Sequence, residues 1–283
     1  MLPIHAIDGV RSTITASGIE LLTLQTPAME ATLSLFGGQL LGWRTPDAPP
    51  LLYLSPLALA APGLPLRGGI PICWPWFAKQ TADPNAVQHG VARDRPWTLL
   101  TLERAGDAFD VVLAGPRHGA LSCTVHYHLG TRVDMTLETH NHGTVAQEYS
   151  ATLHSYFAVG AAQHCVISGL GGRRYFDKLT QRDAVFTEDT QVWPGGFDRI
   201  VYTGDDVCLH DPVWQRCIRV GSRGSGTMVI WNPGPERAVA QLLPGSWRDF
   251  ICVESANAGD DARLVPAGAT HALTTTFAAT AMR

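Results

Sequence analysis

The sequence predicts an all-β chain folded as one large antiparallel β-sandwich, with few, short helices and a single domain over residues 1–283. Three observations predict it. Apolar side chains recur with the strand period of two in Leu121, Cys123, Val125, Tyr127 and Leu129, and again in Val133, Met135 and Leu137. No long stretch keeps the 3.6-residue period of a helix. Turn formers, 28 Gly and 19 Pro, are spread along the whole length and cut the chain into short segments. Many short strands between frequent turns point to a sandwich.

In chain order, the first strand expected is Ala31–Phe36. Leu51 to Leu66 is the most apolar stretch, but Pro56, Pro62 and Pro65 interrupt it. A spanning helix needs about 20 apolar residues, so this stretch reads as a buried loop. Phe109–Leu113 is the next strand. In the hairpin from Leu121 to Leu137, Ser122, Thr124, His126 and His128 form a wet face opposite the apolar one, and Gly130-Thr-Arg132 makes the connection. Glu148–Phe157 reads as one strand: Tyr149, Ala151, Leu153 and Phe157 face the core, and Ser150, Thr152, His154 and Tyr156 form a polar face. Gly169-Leu-Gly171-Gly172 is a turn. Thr227–Trp231, Phe250–Glu254 and Leu273–Phe277 complete the set, with Glu254 closing its strand.

Composition excludes several functions. Hydrophobic residues make up 45% of the chain and charged residues 16%, which places it among globular rather than disordered sequences. A net charge of −4 gives no broad basic surface for nucleic acid or an anionic membrane, so an anionic ligand must be held by a few local arginines. The six cysteines are scattered without a C-x-x-C pair, and Met1–Asp8 lacks the basic and apolar regions of a signal peptide. The expectation is a reduced, cytoplasmic monomer. No G-x-S-x-G elbow, P-loop or G-x-G-x-x-G is present.

The run Leu66-Arg-Gly-Gly-Ile-Pro-Ile-Cys-Trp-Pro-Trp-Phe77 holds two prolines and two tryptophans, which bars both a regular helix and a central strand. It reads as an ordered loop packed by its own aromatics. Gln88-His-Gly-Val-Ala-Arg93 follows shortly. Together these motifs resemble those of the hexose-6-phosphate mutarotases, or glucose-6-phosphate 1-epimerases, of the galactose-mutarotase-like superfamily. The resemblance continues through Gly37-Gly-Gln39, Leu153-His-Ser-Tyr-Phe157, Tyr175-Phe-Asp-Lys178, Asp198-Arg-Ile-Val-Tyr202, Trp231-Asn-Pro233 and Cys252-Val-Glu254, nearly the whole chain in order. Val91, Ala78-Lys79 and Leu242–Ser246 depart from the family pattern.

The resemblance implies a metal-independent isomerase that interconverts the α and β anomers of a hexose 6-phosphate and uses no cofactor. Mutarotation removes a proton from the anomeric hydroxyl and adds one to the ring oxygen, which needs a base and an acid on opposite sides of that region. Glu254, among apolar neighbours that raise its pKa, is the expected base. On the residue alone, a strand-end glutamate paired with Arg248 or Arg263 is the commoner reading. His154 is the expected acid, since an imidazole titrates near neutrality. Arg67 and Arg93 are the expected phosphate and sugar contacts, because guanidinium forks match phosphate oxygens. Gln88, Asp198 and His89 would meet sugar hydroxyls, and Trp74 and Trp76 would either stack on the ring or pack within the loop.

Three other readings remain. His126-x-His128 and His140-x-His142 each place two imidazoles on one strand face, as a metal-dependent β-barrel enzyme would. A non-catalytic carbohydrate-binding sandwich would keep the aromatics without needing Glu254 and His154. An aldose 1-epimerase acting on unphosphorylated sugars would not need Arg67 and Arg93.

Overall fold

The period-two segments pair into antiparallel sheets. In the computed structural model the described residues are 7–59, 64–80, 83, 85–193 and 195–282. A nine-stranded sheet runs in the order Gln191–Val192, Val166–Ser168, Val207–Asp211, Arg216–Arg223, Thr270–Ala281, Val133–Asn141, Leu121–Leu129, Ala108–His118, Thr98–Ala105. Its central hairpin alternates as read from sequence. Leu121 pairs with Asn141 and Leu129 with Val133, the apolar set is buried, and the histidine face is wet. A four-stranded meander covers Val10–Ile14 to Gln39–Arg44, and Gln147–Tyr149 pairs with Arg263–Val265.

The eight-stranded sheet positions the site. Its order is Arg182–Val185, Arg174–Asp177, Phe197–Val201, Thr227–Asn232, Phe250–Asn257, Ala151–Leu153, Ile72–Cys73, with Tyr156–Ala158 also paired to Phe250–Asn257. Both central strands are buried on both faces. From one face Met228, Ile230, Ile251 and Val253 join Val125 and Leu137 of the nine-stranded sheet in the main core. From the other, Val229, Trp231, Phe250, Cys252 and Ala256 join Tyr53 and Tyr156 in a second cluster. Each such side chain removed from water contributes roughly 1.5–3 kcal/mol before entropy is counted.

Two strand expectations are corrected. Glu148–Phe157 is three short strands, Gln147–Tyr149, Ala151–Leu153 and Tyr156–Ala158, and both alternating sets from Ala151 to Phe157 are buried. The break at His154-Ser155 arises where Ser155 N–H turns back to the Leu153 carbonyl at 2.9 Å. Phe250–Asn257 continues three residues past Glu254, so Glu254 lies inside a strand, not at its end.

In the described residues the segment read as Ala31–Phe36 forms the strand Glu30–Ser34, and Phe109–Leu113 and Leu273–Phe277 lie inside the longer strands Ala108–His118 and Thr270–Ala281. Helical segments are single 3₁₀ turns at Ala92–Asp94, Ala162–His164, Ser246–Asp249 and Gly259–Asp261. Among the described residues no helix is long and apolar enough to cross a membrane. Leu51, Leu52 and Leu66 of the apolar loop are buried, while Leu57 and Leu64 are exposed. Residues 60–63 of that loop, and residues 1–6 of the N-terminal stretch read above, lie outside the described residues. All six cysteines are free thiols.

Candidate active site

The second face of the eight-stranded sheet forms the floor of a cleft of about 570 Å³ of empty space. Strand register brings its residues into rows. Asp198 lies opposite Trp231, Trp231 opposite Cys252, and Cys252 opposite Tyr156. One step along, Ile200 lies opposite Val229 and Val229 opposite Glu254. His154 enters from the break between Ala151–Leu153 and Tyr156–Ala158, with its backbone N–H held by the Pro71 carbonyl at 3.0 Å. Its ring stacks on Tyr156 at 4.8 Å and meets Trp231 edge-on at 5.7 Å. The imidazole is thus held between two aromatic rings.

Two glycine-bearing loops form the wall. At Gly69, φ is 61° and a Cβ would collide with the Leu40 carbonyl oxygen; at Gly90, φ is 74° and it would collide with that of Trp74. These close backbone approaches explain the glycines in both motifs. The first loop ends in the edge strand Ile72–Cys73, paired with Ala151–Leu153, and so brings Arg67 beside Tyr156, whose hydroxyl accepts from Arg67 Nη1 at 3.1 Å. In the second, Arg93 Nη2 donates to the Gln88 carbonyl at 2.8 Å, and His89 Nδ1 accepts from Ala78 N–H at 3.2 Å. That acceptor role assigns His89 the neutral Nε2–H tautomer.

Arg67, Gln88, Arg93, Asp198, His89, His154 and Glu254 all line this one cleft. Trp74 does not. It is fully buried, and its Nε1 donates to Thr139 Oγ1 at 3.0 Å beneath the loop, so of its two readings packing holds and stacking on sugar does not. Glu254 is not held by Arg248 or Arg263; its neighbour is His154, whose Nδ1 is 3.2 Å from Oε1. The two groups lie side by side, a spacing that suits two oxygens carried by one carbon.

The reading from sequence missed Lys178, Phe77, Trp231, Val229, Val239 and Arg237, which also line the cleft. Lys178 and Trp231 stand inside quoted motifs, where their type was visible without a role. Lys178 Nζ is 3.1 Å from Asp198 Oδ1. Arg237 sits in an irregular segment that carries no pattern. Among the described residues no carboxylate lies within 4.0 Å of Arg67, Arg93 or Arg237. Three guanidinium groups without counter-charge in one cleft make an anion receptor.

Burial dominates the titration of the central pair. It pushes Glu254 well above the ordinary carboxylate range, the Asp198 carboxylate adds to this, and Lys178 opposes it. Burial also holds His154 well below its ordinary value, helped by His89, Arg67 and Arg93. His89 is lowered by burial and then by Arg93, Lys178 and Arg67. The 3.2 Å separation by itself would suit an ion pair, but both groups are shut off from water and cations surround the imidazole. Burial and the surrounding cations thus favour the neutral pair, with the transferable proton on Glu254. Glu254 Oε1 and Oε2 and His154 Nδ1 have no aligned hydrogen bond.

The paired histidines on the wet sheet face have other partners. His126 Nε2 is 3.3 Å from Glu138, His128 Nδ1 is 2.7 Å from Asp110, His140 Nδ1 meets Thr270 Oγ1 at 2.9 Å, and His142 Nε2 meets Ser122 Oγ at 2.8 Å.

Fold and cleft define a galactose-mutarotase-like β-sandwich with a carboxyl–imidazole pair at the base of an anion-receptive pocket. The aldose 1-epimerase family matches residues 20–278, and the chain belongs to that family. A Salmonella typhimurium relative is 31% identical over 252 residues, 84% of this chain and 83% of its own length. One from Escherichia coli K12 is 28% identical over 280 residues, 95% and 93% of the two chains. Both carry the description "Putative glucose-6-phosphate 1-epimerase". The crystal structure of a "putative mutarotase (YeaD)" from Salmonella typhimurium matches with a TM-score of 0.90 at 26% identity, covering 98% of this chain and 95% of that one.

Proposed function

We propose that this isomerase interconverts the α and β anomers of a hexose 6-phosphate, with glucose 6-phosphate as the reference substrate. The observation that carries the reading is the pairing of Glu254 and His154 at 3.2 Å within a cleft that also holds Arg67, Arg93 and Arg237 without carboxylate partners. The relatives' descriptions support the phosphorylated sugar over a free aldose.

The mechanism follows from the pair's single proton. A dianionic phosphate offsets the guanidinium charges that keep the imidazole neutral, so His154 takes the proton and Glu254 becomes the carboxylate. Glu254 accepts the anomeric hydroxyl proton as His154 donates to the ring oxygen, and the ring bond breaks to the open aldehyde. Rotation of the aldehyde about its bond to the next carbon presents the other face. Reclosure runs the proton transfers backwards, leaving the pair's proton count unchanged. Arg67 and Arg93 hold the phosphate; Asp198, Gln88 and His89 Nε2–H meet hydroxyls.

The test is magnetisation exchange between the anomeric protons of glucose 6-phosphate, measured by NMR with enzyme, with enzyme and chelator, and with glucose as comparator. The expected result is chelator-resistant acceleration on the phosphorylated sugar and little on glucose. Equal acceleration on both would favour an aldose epimerase. Tight sugar-phosphate binding without acceleration would mean a binding protein and overturn the proposal.

A further inference from the structure

Cys252 has no part in the proposed reaction, yet its sulfur lies close to both groups that do. On the strand Phe250–Asn257 it precedes Glu254 by two residues and shares its face. His154, Cys252 and Glu254 are all buried, and one donor atom from each, nitrogen, sulfur and oxygen, lies within 4.8 Å of the other two. Tetrahedral zinc, with bonds of about 2.0–2.3 Å, needs ligand atoms about 3.3–3.8 Å apart; here the nitrogen and an oxygen are 3.2 Å apart and no separation in the trio exceeds 4.8 Å. A second observation points the same way: His154 Nδ1 and both Glu254 carboxyl oxygens are buried without a hydrogen-bond partner. Buried polar atoms left unpartnered have unused coordinating capacity.

We propose that His154, Cys252 and Glu254 form an inhibitory site for a thiophilic divalent cation of the Zn²⁺ class, which occupies the site by capturing the proton-transfer pair. One imidazole, one thiolate and one carboxylate make a mixed N/S/O set, and the cleft side is left open for a fourth ligand. The balance is Zn²⁺ in and two protons out, one from the Cys252 thiol and one from the Glu254 carboxyl. Ion plus two anionic ligands is then neutral, the charge state that Arg67, Arg93 and Lys178 around the cleft tolerate. Because protons are released, binding strengthens as pH rises. The activity readout rests on the proposed mutarotase reading; the binding readout does not.

The experiment titrates the purified full-length protein with Zn²⁺ against a chromophoric chelator, and in parallel follows anomer exchange of glucose 6-phosphate. One equivalent should bind, exchange should stop, and excess chelator should restore it. Cys252→Ala should keep its exchange activity and lose zinc affinity at least about tenfold, since even outer-shell changes at metal sites cost 10–100-fold. Cobalt substitution should give a thiolate-to-metal charge-transfer band in the parent and none in the variant. Zinc that fails to bind, or that binds and inhibits Cys252→Ala as strongly as the parent, would overturn the site. If the parent shows no exchange activity at all, zinc binding and the cobalt band still decide it. Should Cys252→Ala fold poorly, Cys252→Ser keeps the volume and gives the same readout.

Discussion

Glu254→Gln is the sharpest test of the proposed chemistry, because it removes an ionisable oxygen and almost no volume. Glu254 is fully buried in an eight-residue strand buried along its length. A positioned general base contributes typically 10²–10⁴ in rate, and at 1.36 kcal/mol per decade the variant should lose about 3–5 kcal/mol of transition-state stabilisation. Stability should move the other way. The folded-state pKa of Glu254 is raised above its ordinary 4.5, so its stabilising contribution is complete below pH 4.5 and is lost as pH rises through the folded value. Glutamine does not ionise, so the variant should unfold at the same or higher urea concentration near neutral pH. Anomer exchange by NMR, corrected for the spontaneous rate, and urea unfolding read the two effects separately. A folded variant that keeps more than about a tenth of the parent rate would remove Glu254 from the mechanism. A variant much less stable at neutral pH would contradict the neutral pair.

Arg67→Ala should lower kcat/KM for glucose 6-phosphate by about 10–100-fold, the value of one or two charged hydrogen bonds, and should hardly change any turnover of glucose; equal losses would mean Arg67 does not read phosphate. Lys178→Met removes the cation that opposes the upward shift of Glu254, so the alkaline limb of the kcat/KM profile should move to higher pH, and Asp198→Asn should move it lower. Inorganic phosphate bound in the cleft should raise the His154 pKa towards its ordinary value, followed by NMR of the labelled imidazole, because it offsets Arg67 and Arg93. Trp74→Phe breaks the 3.0 Å bond to Thr139 beneath the loop and should cost about 1–3 kcal/mol in urea unfolding with KM for glucose 6-phosphate unchanged.

Where one sheet face meets core and the other meets water, the sequence states the fold openly. The hairpin from Leu121 to Asn141 shows this: its alternation survives as burial, and its three histidines, His126, His128 and His140, stand on the wet side with partners of their own. The same logic fails for Glu148–Phe157. There the apparent polar face, with Thr152, His154 and Tyr156, is buried under a cleft wall, and a period of two cannot distinguish a solvated face from one roofed by distant loops. Trp74 stayed open between stacking and packing for a related reason. In a loop without periodicity nothing local says which tryptophan turns inward, and the bond to Thr139, 65 residues away, decides it.

Glu254 joins these two lessons. Its residue type and its apolar neighbours Cys252 and Val253 were visible, so the upward pKa shift could be expected from local context. The depth of the shift depends on features far away in sequence: the strand continuing to Asn257, the second cluster of Tyr53, Tyr156 and Trp231, and the Asp198 carboxylate two strands across. His154 shows the mirror case, since the cations that lower it come from Arg67 and Arg93 on separate loops. A sandwich that buries both faces of its central strands excludes water from the carboxyl–imidazole pair. Cationic loops over that pair then set where its one proton rests, and an arriving anion changes the setting.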